Sequence, residues 1–523
     1  MQQTTAQASG AHQSDDSRLE SLGYKPQLNR VLSYFGNFAV AFTYLSPMVG
    51  IYSLFVLGVG SGGPAYVWLT WIPVVGMLFV ALVFGELASH YPVAGALYQY
   101  SKFSAGPKYG WFVGWVYGLA LLITVAAVDT GVVSYVAALT HNGFGWNLDP
   151  ANNQTILAVT VVLLAVQTAL NITGAQVMGR VAKFGVYVEI IGTLGIAIIL
   201  AVHGFNHGFD FLFTTQGVEN AATNPTGLDF GGHWLTGAAL ISVLAPVYIF
   251  YGFEAAGDIS EETKDAGVQV PRAMRWALIW GGVSSFILIA ALLLAMPAVD
   301  PVKATVAGGG VPFILSSLPG WLQDFLLLMI VFAFFSCGTS IQGAGSRLMF
   351  SYARDGALPA SPWVAKVSDH FKTPVNALLA GSVVTVLFVL LVYATPENDI
   401  HIGFITYPAH INALVSLVSF GVSGIYFAFL LTVIAAIIAK GRGWKPEGRF
   451  QLGKWRGPVY FLAATYLGLM LLNVVAPTGL TSPRGSFNLD WITLLVMAII
   501  SIAGALYLFI ARPDKRVQER SRR

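Results

Sequence analysis

Apolar residues in this chain gather into blocks about 20 residues long, and short polar stretches separate the blocks. A helix of that length crosses the ~30 Å hydrocarbon layer of a bilayer and satisfies its own backbone hydrogen bonds, which lipid cannot do. The pattern predicts an all-α membrane protein with twelve transmembrane helices. They lie near residues 34–58, 64–88, 111–139, 155–174, 182–203, 236–258, 276–298, 321–346, 375–394, 413–439, 457–476 and 489–511. Residues 402–412 are a candidate for a short separate helix.

The basic residues alternate with these spans. Every Lys and Arg except Lys303 and Arg484 falls in the tails or connections of one side. Because Lys and Arg concentrate in cytoplasmic connections, both termini are expected to be cytoplasmic. A bacterial inner (plasma) membrane is the expected location.

Composition agrees with this class. The chain of 523 residues is 55% hydrophobic and only 10% charged, whereas soluble domains carry about 25% charged residues. Residues 1–30 are polar and lack the apolar core of a cleavable signal peptide. The single Cys337 excludes an internal disulfide and a cysteine-built metal site. The net positive charge of +3 comes from the Lys and Arg residues of the connections and tails, so no nucleic-acid partner is expected.

Two of the spans carry signals for interrupted helices. The first reads Leu-Ser-Pro-Met-Val-Gly-Ile over residues 45–51, and the sixth reads Leu-Ala-Pro over 244–246 with Gly252 following. Proline removes a backbone donor, and glycine lets the chain leave helical geometry. Transporters commonly bind their substrates where such breaks occur in corresponding places of two repeats. Two ordinary proline kinks are the alternative.

Four motifs occur in the order that one family shows. They read GELASHYPVAGALY over residues 85–98, GFE and EETK over 252–254 and 261–264, SRLMF and ARDGALP over 346–350 and 353–359, and TPVNA over 373–377. The chain resembles the amino acid–polyamine–organocation family over roughly residues 30–475, nearest its amino acid/choline branch with GABA and choline permeases. The first break departs from the Gly-Ser/Thr-Gly turn of many members, since Met48 and Val49 stand before Gly50.

The resemblance implies a LeuT-type 5+5 inverted repeat. The expected organisation is a cytoplasmic tail over 1–30, a ten-helix core over 31–440, helices eleven and twelve over 441–511, and a basic tail over 512–523. The two repeats cover about 34–203 and 236–439 within the core.

Five carboxylates fall at membrane depth, where a charge costs at least ~2.5 kcal/mol and needs a partner or a role. Glu189 lies near the middle of span five. By resemblance, several proton-coupled relatives have a lysine at the matching position. Glu189 is a candidate for H⁺ or Na⁺ coupling, with Ser336, Thr339 and Ser340 as neighbours, or for a structural hydrogen bond.

The other four carboxylates have several possible roles. Asp129 either attracts a substrate ammonium, lines the outer vestibule or pairs with a neighbouring helix. Glu254 accepts backbone amides at the second break or helps to bind an amine. Asp258 is expected in an inner gate or salt bridge. Glu86 is expected to pair with a basic connection residue, with Arg347 as the candidate.

An amino acid needs a partner for each of its charged ends. The backbone N–H groups of the first break suit a carboxylate; the residues concerned are Ser46, Met48, Val49, Gly50 and Ile51. Carbonyls around Tyr248–Phe253 suit the amine, with Gly252 inside this stretch. By resemblance one of Tyr248, Phe250 and Phe253 serves as an aromatic gate.

These features favour alternating-access transport of an amino acid or a related small amine such as GABA, coupled to H⁺ or Na⁺ or to exchange. An enzyme is not expected, because the chain shows no intramembrane His/Asp cluster, no Gly-x-Ser-x-Gly turn and no nucleotide loop. A channel or a transporter-like sensor is the remaining alternative. The expected partners are the substrate and membrane lipid, with no metal and no other cofactor.

Overall fold

The computed structural model describes residues 15–220, 223–225, 233–393, 400–402, 405–407, 413–476 and 491–520. The helices of the first half are α1 Asp15–Ser21, α2 Tyr34–Leu45, α3 Pro47–Gly62, α4 Trp71–His90, α5 Ala96–Ala105, α6 Pro107–Gly131, α7 Val133–Phe144, α8 Asn153–Ile172, α9 Ala175–His203, α10 Ala238–Ser242, α11 Leu244–Val247 and α12 Ala255–Asp258. The second half contains α13 Ala266–Leu294, α14 Pro301–Ala307, α15 Val311–Leu315, α16 Gly320–Arg354, α17 Ser361–Val364, α18 Val375–Tyr393, α19 Ala413–Gly441, α20 Arg456–Val475, α21 Ile492–Ala511 and α22 Pro513–Arg520. Short 3₁₀ helices lie at Pro64–Thr70, Phe209–Phe213, Ser260–Glu262 and Gly453–Trp455.

The apolar helices match the twelve predicted spans. In the described part of the chain, ten helical segments are long and apolar enough to cross a membrane, and two shorter ones lie at Ala238–Val247 and Val375–Leu391. Several helices extend beyond the predicted apolar blocks; α16, for example, continues to Arg354. A helix keeps its hydrogen bonds outside the hydrocarbon layer, so hydrophobicity alone underestimates its length. The division into domains stays a prediction.

One local prediction is wrong. The candidate helix at residues 402–412 is replaced, where described, by a short antiparallel hairpin of β1 Ile400–Ile402 and β2 Ile405–Tyr407. Ile, Thr and Tyr in alternation favour the strand, since β-branched and aromatic side chains fit a pleated surface. Residues 403–404 and 408–412 lie outside the described residues.

The two interrupted spans lie inside the bundle. The first span, α2 with α3, packs against α9, α10, α13 and α16, and α6 packs along α16 and α19. Large apolar side chains remain exposed on the outer surfaces of α9, α18 and α21, among them Val202, Val383 and Phe509. Such surfaces suit contact with lipid, whereas Leu45, Ser46 and Gly252 at the breaks are in the interior of the bundle.

The basic connections meet on one face of the bundle. Glu447 bonds to His90, Arg449 to Asp265, and Tyr24 of the N-terminal segment to Asp355. These contacts bring the connections 91–95, 259–265, 355–374 and 442–455 together with residues 15–33. We call this surface the basic face.

Candidate functional site

The first break is a single residue. Ser46 has a left-handed backbone with φ 41°, ends α2 and begins α3, whose first residue is Pro47. Proline disfavours the helical conformation in the residue before it, which explains the position of the break. The Ser46 hydroxyl oxygen accepts a hydrogen bond from the Val49 N–H at 3.2 Å, which caps the new helix.

The second break is longer. Residues 248–254 separate α11 from α12, and Gly252 has φ +99° in the middle of them. The Gly252 N–H donates to the Glu254 carboxylate at 2.8 Å. Among the described residues, no hydrogen bond ends at the carbonyls of Tyr248, Phe250 or Tyr251. This stretch therefore presents acceptors without partners.

The two breaks are in direct contact. A Cβ atom built on Gly252 would lie 2.8 Å from the Leu45 nitrogen, and one built on Gly50 would clash with the Ile249 side chain. The rings of Tyr44 and Tyr251 meet edge to face at 5.9 Å between centroids. The small residues predicted to break the helices also allow the two backbones to approach each other.

The amide donors of the first break are already occupied. The Met48 N–H donates to Oε2 of Glu189 at 3.1 Å, and the Ser46 hydroxyl donates to Oε1 of the same carboxylate. The Val49 and Gly50 N–H groups bond to Ser46 itself. The Glu189 carboxylate thus takes the place that the sequence assigned to a substrate carboxylate.

The side chains of the first break point in different directions. A Cβ atom on Gly192 of α9 would lie 2.6 Å from the Met48 sulfur, so Met48 packs on α9. Val49 and Ile51 are buried. The first break meets the second at Gly50, where an added Cβ atom would clash with Ile249.

The three candidate gate aromatics are all buried. The Tyr248 hydroxyl lies 3.3 Å from the Ser419 hydroxyl on α19. Phe253 packs between Phe84 and Phe429 with centroid distances of 6.0 and 5.6 Å, and Phe250 is fully buried. Their role as a gate stays a prediction.

Within the described residues, no hydrogen bond joins the candidate coupling residues of α16 to Glu189. The Ser340 hydroxyl lies 2.8 Å from that of Thr43, and the Thr339 hydroxyl donates to its own helix at Phe335. The buried Ser336 hydroxyl has no hydrogen-bond partner in the described part of the chain. No Lys or Arg there forms an ion pair with Glu189.

Asp129 bonds to a neighbouring helix. Its Oδ1 accepts a hydrogen bond from Gln167 Nε2 of α8 at 2.7 Å, close to Gly338 of α16. The structure therefore places it between α6, α8 and α16, in agreement with the alternative of a neighbouring-helix partner.

Glu254 and Asp258 share one tyrosine. The Tyr117 hydroxyl of α6 lies 2.8 Å from Asp258 Oδ2 and 3.3 Å from Glu254 Oε1. Asp258 forms no ion pair among the described residues, so the salt-bridge alternative is not found and the inner-gate alternative stays a prediction. Asp258 ends α12, directly after the second break, and its hydrogen-bond partner there is the Tyr117 hydroxyl.

Glu86 pairs with a basic residue, but not with Arg347. Its carboxylate accepts from Arg456 at 2.9 Å, from Tyr460 at 2.8 Å and from the Leu452 N–H at 2.8 Å. Arg347 instead forms a two-pronged bond with Glu262, with both distances 2.9 Å and both side chains buried. Glu86 lies on the second span and Glu262 in the connection 259–265, and only the folded bundle decides which guanidinium each one meets.

Two further ion pairs connect segments of the basic face, and the sequence analysis did not predict either of them. Arg354 bonds to Glu261, and Lys102 bonds to Asp355 at 2.7 Å, where the Tyr24 hydroxyl also donates. Burial alone raises the pKa of Asp355, but Lys102 and the hydroxyl donors outweigh it and hold that pKa below its usual range. Several of these residues lie inside the family motifs, which was the available signal.

Among the described residues, no group of three His, Cys, Asp or Glu side chains lies close enough to hold a metal ion. The site instead consists of backbone groups, carboxylates and hydroxyls at two opposed helix breaks. A bundle of twelve apolar segments with such a centre is a secondary transporter of the LeuT-type fold.

Known proteins agree with this class. A profile of the amino acid permease family matches residues 32–501, and the chain belongs to this family. It is 25% identical to the amino-acid permease BAT1 of Arabidopsis thaliana, covering 95% of this chain and 94% of that one. It is 27% identical to the GABA-specific permease of Saccharomyces cerevisiae, covering 88% and 78% of the two chains. The fold is similar to that of a manganese transporter mutant of Eremococcus coleocola, with a TM-score of 0.57, 13% identity and 98% coverage of both chains.

Gly252→Ala tests the contact between the two breaks. A left-handed backbone costs a residue with a Cβ atom about 1–2 kcal/mol, and here the Cβ also meets the Leu45 backbone. We expect a lower unfolding midpoint of the purified protein in a thermal scan. Gly468→Ala in α20 is the matched control, because nothing lies within 4 Å of its added methyl group. Equal midpoints of the two variants would contradict the close approach.

Arg347→Met tests the buried ion pair. Removing one partner leaves the Glu262 charge buried, which costs about 3–5 kcal/mol. We expect a strongly lowered unfolding midpoint, and recovery of most of the loss in the double variant Arg347→Met/Glu262→Met, since both buried charges are then absent. If the double variant were no more stable than Arg347→Met alone, the pair would not be the cause.

Proposed function

We propose that this protein moves an amino acid or a related small amine such as GABA across the membrane by alternating access. The observation that carries the proposal is the contact of two broken helices inside the bundle, with the carbonyls of Tyr248, Phe250 and Tyr251 free to accept. The names of the relatives support an amine-containing substrate: an amino-acid permease, a GABA-specific permease and a putative polyamine transporter of Candida albicans.

The amine of the substrate would bind to the free carbonyls of the second break. The nearby carboxylates of Glu254 and Asp258 favour a cation there, because no Lys or Arg pairs with either within the described residues. The carboxylate of the substrate would bind to the Met48 N–H and the Ser46 hydroxyl, at the positive end of α3. To bind there it must displace Glu189.

This competition supplies a coupling mechanism. Ionised Glu189 holds the donors of the first break, and a substrate carboxylate beside it would place two like charges together in a medium of low dielectric. A proton on Glu189 removes its charge and releases the donors. One proton and one substrate would therefore bind together, which defines a proton symporter.

The basic face would be the cytoplasmic face. The excess of Lys and Arg in its connections supports this orientation, with both termini on that side. The location in a bacterial inner (plasma) membrane stays a prediction.

Uptake into liposomes that contain the purified protein tests the function. A thermal-shift screen with amino acids, GABA and amines that lack a carboxylate first identifies a ligand, since a bound ligand raises the unfolding midpoint with concentration. We expect saturable accumulation of that ligand when an inward proton gradient is imposed. Flux without saturation would indicate a channel, binding without flux a sensor, and flux only against internal substrate an exchanger.

Glu189→Gln tests the coupling. The amide keeps an acceptor for the Met48 N–H but neither binds nor releases a proton. We expect gradient-driven uptake to fall to the equilibrium level, while exchange of labelled for unlabelled substrate continues. Glu219→Gln, in an exposed outer connection, is the control and retains full accumulation.

Two results would contradict proton coupling. One is undiminished proton-driven accumulation by Glu189→Gln. The other is accumulation by the unaltered protein that needs Na⁺ and ignores the proton gradient; it would direct attention to the hydroxyls of Thr43, Ser336 and Ser340.

A further inference from the structure

An apolar groove opens on the lipid-facing side of the bundle between α2, α9 and α13. Its volume is about 570 Å³, within the range of about 300–1,000 Å³ that small-molecule sites occupy. The lining residues are Phe35, Phe38, Phe42, Val186, Tyr187, Ile190, Leu194, Trp280, Val283, Ser284 and Ile287. Tyr187 and Trp280 at its edges are each 54% exposed.

The groove suits a hydrocarbon chain. Its lining is almost entirely aliphatic and aromatic, and the Ser284 hydroxyl donates to the Trp280 carbonyl of its own helix at 2.7 Å. The lining residues of α9 run from 186 to 194, which is about 12 Å along a helix. A polar ligand would find few partners over that length.

The end of the groove at the basic face carries two cations. Lys183 lies one helical turn before Tyr187, with its Cε beside Gly36 of α2. The Arg272 guanidinium lies over the Tyr34 ring, 4.6 Å from its centroid. Tyr34 directly precedes the lining residue Phe35 in α2. Neither Lys183 nor Arg272 forms an ion pair with an Asp or Glu in the described part of the chain.

We propose that this groove binds an anionic phospholipid, with an acyl chain along α2, α9 and α13 and the phosphate between Lys183 and Arg272. Basic pockets between transmembrane helices on the cytoplasmic side commonly bind anionic lipid head groups. Here the apolar groove continues from the basic end and would accommodate the acyl chain of the same lipid. A free anion such as inorganic phosphate would contact only Lys183 and Arg272 and leave the apolar groove empty.

The bound lipid would contact the broken span directly. Phe35, Phe38 and Phe42 belong to α2, which ends at the first break, and Val186 and Ile190 flank Glu189 on α9. The lipid would therefore hold α2 against α9 in the present arrangement. Its binding does not depend on the identity of the transported substrate.

Native mass spectrometry of the full chain in detergent tests the proposal, with phosphatidylglycerol, phosphatidylcholine or inorganic phosphate added. We expect retained phosphatidylglycerol and little of the other two. Each basic charge near the membrane surface contributes about 1 kcal/mol, so Lys183→Gln/Arg272→Gln should weaken phosphatidylglycerol binding by about 30-fold. The control Lys108→Gln/Arg442→Gln removes two exposed charges outside the groove, one in the first turn of α6 and one directly after α19, and should leave binding unchanged.

A second pair of variants tests the groove itself. Val283→Trp fills the groove and should abolish phosphatidylglycerol retention, whereas Val383→Trp on the exposed surface of α18 should not. Equal binding of phosphatidylcholine, equal binding of inorganic phosphate, or unchanged phosphatidylglycerol binding in Lys183→Gln/Arg272→Gln or in Val283→Trp would overturn the proposal. Thermal scans of all four variants without lipid confirm that they are folded.

Discussion

The structure depends on how peptide groups are satisfied where two membrane helices are interrupted. Lipid offers them no partners, so each group must bond within the protein or face a ligand. At the first break the protein supplies the partners through Ser46 and Glu189. At the second break Glu254 takes one amide, and the carbonyls of Tyr248, Phe250 and Tyr251 stay open. The site therefore combines backbone donors that are already hydrogen-bonded at the first break with carbonyl acceptors that have no partner at the second.

This asymmetry connects the chemistry of the site to transport. An ammonium finds acceptors without displacing anything, whereas a carboxylate has to replace the one that the protein already holds. Under this proposal the charge state of Glu189 determines which ligand the first break accepts. In the proposed mechanism the same hydrogen bonds stabilise the empty protein and link the proton to the substrate.

The basic face places a second condition on any change of conformation. Glu261 and Glu262 follow the second break, and they bond to Arg354 and Arg347 on α16. The chain before α2 adds to the same surface, since the Val31 and Leu32 N–H groups donate to the Glu262 carbonyl. In the proposed alternating-access cycle, opening this face would separate these groups and return the charges to water. Because α2 also lines the proposed lipid groove, the membrane would act on the same element.

Hydrophobic block length determined the spans, basic residues determined their alternation, and the Ser-Pro and Ala-Pro sequences with their glycines located both breaks. These are properties of short stretches, because lipid imposes the same rule on every segment of the chain. Pairing across the bundle could not be predicted in this way. That Glu86 meets Arg456, that Arg347 meets Glu262, that Gln167 holds Asp129, and that Glu189 reaches the Met48 N–H all depend on which faces of distant helices come together. Only the packed bundle decides this, because a buried charge bonds to whichever partner the fold brings within about 3 Å.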